Sequence, residues 1–245
     1  MLLIHGLGMS SRFWFDLPNR IAADSARPRR VLAIDNRGTG QSGRPRGRYT
    51  MAQLAKDAVS VLDNAGVEQA IVVGTSLGGM IAQHVALDFS DRTAGLMLVA
   101  TSPGLPLMRL PHPIALYTLL TVPLRKTVDP RVDRLLLSAK DVPRARQLFV
   151  DWIEAFKEDP VDGKTFLSQF SAALLHSTGH RLSAVRCPTH VISGDDDILI
   201  RAENSRRIAA RIPGATLEIL PDVGHAVPLV DRESIPRALR RAELP

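Results

Sequence analysis

The hexapeptide Gly74-Thr75-Ser76-Leu77-Gly78-Gly79 constrains this chain more than any other feature, because of what flanks it. Before it runs Gln69-Ala70-Ile71-Val72-Val73, apolar and β-branched, which reads as a buried strand. After it, Met80-Ile81-Ala82-Gln83-His84-Val85-Ala86-Leu87 carries helical periodicity. A Gly-x-Ser-x-Gly set between a strand and a helix has the form of a nucleophile elbow. The turn must be sharp enough to lift the serine hydroxyl clear of the sheet. Side chains at the flanking positions would collide in it, so Gly74 and Gly78 stand there. Ser76 is therefore a candidate nucleophile.

The rest of the chain repeats the alternation of short apolar runs and longer amphipathic ones, the pattern of a mostly parallel, doubly wound sheet with flanking helices. Leu2-Leu3-Ile4 and Val31-Leu32-Ala33-Ile34 read as strands, and residues 13–23 as a helix between them. Asp35-Asn36-Arg37-Gly38-Thr39-Gly40 follows as a glycine-rich loop. Residues 51–65 place Leu54, Ala58, Val61, Leu62 and Ala65 on one helical face and stop at Gly66. Gly95-Leu96-Met97-Leu98-Val99 is the next strand. From 103 to 186 the alternation stops, and a proline-richer stretch reads as helices alone. This is an insertion between two core strands and is expected to cap the carboxyl edge of the sheet. Its apolar residues include Leu116, Leu119, Leu120, Leu135, Phe149, Trp152 and Phe170; they suit a hydrophobic substrate, and equally suit packing against the core. Strand-like runs resume at Thr189-His190-Val191-Ile192-Ser193 and Thr216-Leu217-Glu218-Ile219-Leu220, with a helix over 202–211 between them and a last helix over 232–241. The expected organisation is a core of residues 1–102 and 187–245 with a helical cap of 103–186.

The 245 residues suit one sizeable domain. No apolar run reaches 18 residues, so no membrane span is expected. The first residues lack the features of a secretory leader, which makes the cytoplasm the expected location. The net charge of +6 comes from 31 basic against 25 acidic residues, and 26 of the basic ones are arginine. Aromatics make up only 4% and no basic run is interleaved with them, so a solvated arginine-rich surface is expected rather than a nucleic-acid site. The single cysteine, Cys187, excludes an intrachain disulfide and reads as a packing residue. No His, Cys, Asp or Glu pair has convincing metal-ligand spacing. His176 and His180 are four apart but read as helix-end residues. Neither metal nor cofactor is expected.

Serine needs a base to take its proton as it attacks, and a carboxylate to hold that base in the right tautomer. Of seven histidines, His225 follows Gly224 in the loop after the last strand, on the same sheet edge as Ser76. His84 lies two turns along the helix after the elbow and points elsewhere. His190 is inside a strand, and His112, His176 and His180 fall in the cap region, where a surface role is expected. His225 is the candidate base. Gly194-Asp195-Asp196-Asp197 supplies three carboxylates at the end of the preceding strand. Any of them can orient the histidine; alternatively Asp195 or Asp196 does so while Asp197 caps the helix that follows. The position after Val99, Ala100-Thr101-Ser102, offers none. Two N–H donors should face the developing oxyanion: that of Leu77, after the nucleophile, and that of Leu7 in His5-Gly6-Leu7-Gly8, with His5 buried at its strand end.

The ordered set of His-Gly-x-Gly, Gly-x-Ser-x-Gly, Gly-x-x-Asp and Gly-His resembles the α/β-hydrolase superfamily across the whole chain apart from the cap. Together, Asp35-Asn36-Arg37-Gly38-Thr39-Gly40-Gln41-Ser42 and Gly78-Gly79-Met80-Ile81-Ala82-Gln83 are most similar to the branch holding 3-oxoadipate enol-lactonase and small methyl esterases. The resemblance implies Asp197 as the acid and a loop-organising role for Asp35 and Arg37. It implies a serine hydrolase acting on a small ester or lactone, with C–C or thioester hydrolysis, cyclisation or decarboxylation on the same triad as alternatives, and a non-catalytic ligand receptor as a rival. Family members usually begin with a two-stranded hairpin, whereas here Met1 abuts the first strand. Either the hairpin is absent or Met1 is an internal start; if it is absent, Val31 to Ile34 would lie at or near an exposed sheet edge, so a homodimer or poor solubility is expected.

Overall fold

Successive strand residues face opposite sides of a sheet, and the strands of this chain are apolar on both sides. The computed structural model describes residues 1–24, 27–121, 131–241 and 244; residues 122–130 of the expected cap and the side chain of Leu120 lie outside the described residues. Six strands, β1 (Leu2–Ile4), β2 (Leu32–Ile34), β3 (Ala70–Thr75), β4 (Thr93–Val99), β5 (Thr189–Gly194) and β6 (Thr216–Leu220), form one sheet in the order β2-β1-β3-β4-β5-β6. All five pairings are parallel. Leu2, Ile4, Val72, Leu96, Leu98 and Val191 fill one side, against Leu54, Ala58 and Leu62 of α2 (Met51–Asn64), Ile81 and Val85 of α3 (Leu77–Asp88), and Ile208 of α9 (Ala202–Ala209). Their neighbours Leu3, Ile71, Val73, Met97, Val99 and Ile192 fill the other, against Leu17 and Ile21 of α1 (Leu17–Ala22) and Ala238 and Leu239 of α11 (Ser234–Arg241). Burying both faces requires helices on both, hence the doubly wound layering.

Local signals set the element ends. Thr50 and Gln53 form a reciprocal capping box at the start of α2: the Gln53 N–H donates to Thr50 Oγ1 at 3.2 Å and the Thr50 N–H to Gln53 Oε1 at 3.0 Å. The single helix expected over 13–23 is instead a 3₁₀ turn, Ser11–Trp14, followed by α1. Phe15 between them sits at φ 49°. Pro18 explains the break, because proline fits the first turn of a helix but not its interior. The C-terminal helix starts at Ser234 rather than 232, and a short α10 (Val227–Val230), with Pro228 in its first turn, was not foreseen.

Between β4 and β5 the chain forms α4 (Pro113–Thr121), α5 (Arg131–Leu136), α6 (Ala145–Leu148), α7 (Val150–Glu158) and α8 (Gly163–Leu174). Among the described residues of this insertion the only β pairing is an isolated bridge between Gly104 and Ser177 at its base. Phe149, Trp152 and Ala155 join Phe13, Ala226 and Leu229 in a separate apolar cluster that ties the insertion to the core. No helix among the described residues is long and apolar enough to cross a membrane.

The strand order reverses between β1 and β3, since the chain leaves β1 for β2 on one side and then returns to β3 on the other. Connections diverge at such a switch point and leave a crevice beyond the carboxyl ends of the strands. The loop after β1 and the Ser76 turn after β3 both open there.

Candidate active site

Ser76 lies between β3 and α3 at φ 54° and ψ −118°, a left-handed conformation that costs a non-glycine residue about 1–3 kcal/mol. Surrounding bonds hold it: its N–H donates to the Val99 carbonyl at 2.9 Å, and its carbonyl accepts from Thr101 Oγ1 at 2.7 Å. The flanking glycines are needed for close approach. A Cβ on Gly74 would overlap the Gly78 carbonyl, and one on Gly78 would overlap the carbonyl oxygen of Ile4. Register with β1, in which Ile4 sits beside Gly74, brings Gly6 next to Ser76.

His225 Nε2 is 3.0 Å from Ser76 Oγ, and His225 Nδ1 is 2.7 Å from Asp197 Oδ2. Asp197 and His225 are buried, while Ser76 is partly exposed. The other Asp197 oxygen accepts two backbone N–H bonds, from Leu199 and Ile200, each at 2.8 Å. Asp197 thus caps the turn that follows it and faces the histidine at once. Its two neighbours are engaged elsewhere: Asp195 accepts from the Asp222 N–H, and Asp196 accepts from Arg134 Nη2 at 2.6 Å and the Ala139 N–H at 2.7 Å. A hydroxyl, an imidazole and a carboxylate joined in series can move a proton off the hydroxyl while the imidazole stays in one tautomer.

Of the four N–H groups of Gly6, Leu7, Gly8 and Met9 in the loop after β1, three are occupied. The Gly6 N–H donates to His5 Nδ1 at 2.7 Å, Gly8 to Gln169 Oε1 at 2.8 Å, and Met9 to the Gly6 carbonyl at 3.2 Å. Among the described residues the Leu7 N–H makes no hydrogen bond. Leu77 is the first residue of α3, where no intrahelical acceptor exists for its N–H. Among the described residues neither expected oxyanion donor has a backbone partner, and both lie beside a serine at a helix N-terminus. His5 is buried as expected, packs edge-on against Trp14 at 4.6 Å, and has its pKa pushed down to about 3 by burial. It is a neutral acceptor that fixes the loop.

Ser76, Leu77, Leu7 and His225 line a cavity of about 540 Å³, walled largely by apolar side chains from both layers: Met80 from the core and Met108, Leu135, Phe166, Phe170 and Leu174 from the insertion. Asp35 accepts from the Ser11 N–H at 2.6 Å and the Gln41 N–H at 2.8 Å, and Arg37 grips Asp57 through two bonds. Both order loops without lining the cavity.

The remaining histidines lie away from Ser76. His190 meets Thr216, and His112 and His180 are exposed. His176, expected at the surface, is instead 1% exposed and packs against His84 at 5.4 Å, with burial pushing its pKa down to about 3. Cys187 is half-buried against the core. Among the described residues no group of three His, Cys, Asp or Glu is placed to hold a metal ion.

The sequence matches the alpha/beta hydrolase family over residues 1–235. It is 30% identical to a poly(3-hydroxyalkanoate) depolymerase of Ectopseudomonas oleovorans, across 96% of this chain and 81% of that protein. Among solved structures, Est816, described as an N-acyl homoserine lactone degrading enzyme, superposes with a TM-score of 0.81 at 26% identity, covering 98% of this chain and 91% of that one. The enol-lactonase of Burkholderia xenovorans LB400 gives a TM-score of 0.79 over 98% and 88%, and at 23% identity speaks for the fold alone. With a family match across nearly its whole length, the chain belongs to the alpha/beta hydrolase family.

Proposed function

We propose that the protein is a cofactor-free serine hydrolase that cleaves a carboxylic ester or lactone of a small, apolar molecule through an acyl-enzyme. The observation that carries this proposal is the unbroken series Asp197–His225–Ser76, at 2.7 and 3.0 Å, opening into the apolar cavity. Ser76 Oγ attacks the carbonyl carbon as His225 Nε2 takes its proton. The carbonyl oxygen, now negative, is held by the N–H groups of Leu7 and Leu77. Collapse of the tetrahedral species expels the alcohol, which takes the proton from His225. In a lactone that alcohol stays attached to the acyl group. Water then attacks the acyl-Ser76 ester with its proton passing to His225, and the acid leaves as Ser76 regains its hydrogen. Asp197 holds the imidazole with Nδ1 protonated throughout.

A serine rather than an aspartate at the elbow makes an acyl intermediate, not an alkyl ester, the chemistry that fits. Residues 103–186 act as the cap, and their apolar wall selects for substrates without charge near the scissile bond. The similarity to a protein named poly(3-hydroxyalkanoate) depolymerase and to one described as an N-acyl homoserine lactone degrading enzyme supports this reading. Among the described residues β2 is an outer strand of the sheet, and pairing of that strand with a second copy would give a homodimer.

The test is steady-state hydrolysis of p-nitrophenyl acetate, p-nitrophenyl butyrate and a medium-chain lactone by the wild type, Ser76→Ala and His225→Ala. Turnover that disappears in both variants, with folding intact, is expected. Turnover unchanged in Ser76→Ala would overturn the proposal.

A further inference from the structure

We infer that Gln169, on α8 of the insertion, is a positioning residue for the oxyanion loop; this rests on the ester-hydrolase proposal above. Gln169 is fully buried, and both ends of its amide are used. Its Oε1 accepts the Gly8 N–H at 2.8 Å, and its Nε2 donates to the Arg37 carbonyl at 3.1 Å. One side chain thereby joins the loop after β1 to the loop after β2. Its surroundings are close-packed. Thr165, one turn earlier on α8, lies so near Gly38 that a Cβ there would overlap it. Val161 and Phe166 press on Gly8, meeting a Cβ built there at 3.3 and 3.6 Å.

The Leu7 N–H belongs to the peptide plane between Gly6 and Leu7, and its direction follows from how the loop is anchored on either side. On the near side, His5 Nδ1 holds the Gly6 N–H at 2.7 Å. On the far side, Gly8 stands at φ 72° with its N–H held by Gln169. The anchors at His5 and Met9 are local to the loop, whereas Gln169 comes from 161 residues away. Gln169 does not line the cavity, so it reaches substrate only through the loop that it fixes. The insertion therefore does more than wall the cavity: one of its helices sets the aim of an oxyanion donor. An aimed donor favours the transition state over bound substrate, and its loss falls on kcat rather than KM.

Gln169→Met tests this, because methionine is similarly long and unbranched but makes neither hydrogen bond. The expected result with p-nitrophenyl butyrate is a kcat lowered about ten- to a hundredfold, short of the 10²–10³ seen when an oxyanion donor is removed outright, with KM within about twofold. Affinity for a trifluoromethyl ketone, which forms a tetrahedral adduct on serine, should fall by the same factor as kcat/KM. A folded Gln169→Met with kcat within twofold of wild type, or with the loss in KM alone, overturns the inference and leaves the hydrolase proposal standing. Absence of Ser76-dependent turnover in the wild type overturns both. Hydrogen exchange on the wild type needs no variant: the Gly8 amide should be protected, and exchange at the rate of an open loop would overturn the inference.

Discussion

Replacing Asp197 by asparagine should cost about four orders of magnitude in kcat, and the geometry says why. One Asp197 oxygen takes two backbone N–H bonds, from Leu199 and Ile200, and the other takes one bond from His225 Nδ1. Asparagine has a single acceptor oxygen and must choose. Keeping two bonds rather than one leaves its oxygen on the backbone amides and turns its NH₂ toward His225. The imidazole can then meet that donor only by accepting at Nδ1, which moves its proton to Nε2, the atom 3.0 Å from Ser76 Oγ. A protonated Nε2 cannot take the serine proton. Holding the wrong tautomer in a serine–histidine–aspartate site lowers kcat about 10⁴-fold, which is a barrier increase of about 5 kcal/mol. Fold stability should change little, because the capping bonds survive. The assay is p-nitrophenyl butyrate hydrolysis beside thermal unfolding and ¹⁵N NMR of the His225 ring. A folded Asp197→Asn within tenfold of wild-type kcat, or one whose His225 keeps its proton on Nδ1, would refute the reasoning.

Other expectations concern the scaffold. Gly78→Ala drives a Cβ into the carbonyl oxygens of Ile4 and His5; it should destabilise the protein by about 3 kcal/mol or more, and an unchanged denaturation midpoint would contradict the packing. His5 and His176 both have pKa values pushed down to about 3 by burial. The unfolded chain takes up these protons near pH 6.5 and the folded protein refuses them until about pH 3. Their contribution is thus complete above pH 6.5 and lost as pH falls through that window, at about 1.4 kcal/mol per pH unit for each. Urea midpoints that do not fall between pH 7.5 and 5.5 would contradict this. Light scattering should give twice the 26.7 kDa chain mass if the β2 edge pairs with a second copy; a monodisperse monomer contradicts the dimer.

Much of this architecture is written in local signals. The β-branched runs, the Thr50–Gln53 box and the glycines around Ser76 act within a few residues of themselves, so they could be read along the chain. The adjacency of Ser76 and His225 was legible for a related reason: each follows a strand in a parallel sheet, and the strand ends share one edge. The choice among Asp195, Asp196 and Asp197 was not legible from local chemistry. In the fold, Arg134, Ala139 and Asp222 engage the first two from distant parts of the chain, and Asp197 is the one that faces His225. The burial of His176 is not visible along the chain because it depends on His84 and on the base of the insertion, where Gly104 meets Ser177. Gln169 gave no signal at all, since a lone glutamine on an amphipathic helix acquires its partners only when α8 packs between two loops. Pro18 is itself a local signal: proline fits the first turn of a helix and not its interior, and it divides residues 13–23 into two elements.

The central claim is a covalent acyl group on Ser76, and the most direct measurement is mass spectrometry of enzyme acid-quenched during turnover of p-nitrophenyl butyrate. A butyryl adduct that maps to the peptide holding Ser76, is absent from Ser76→Ala and accumulates in step with the p-nitrophenol burst is the predicted result. Turnover with no adduct at any quench time, or with the adduct on another residue, would contradict the account.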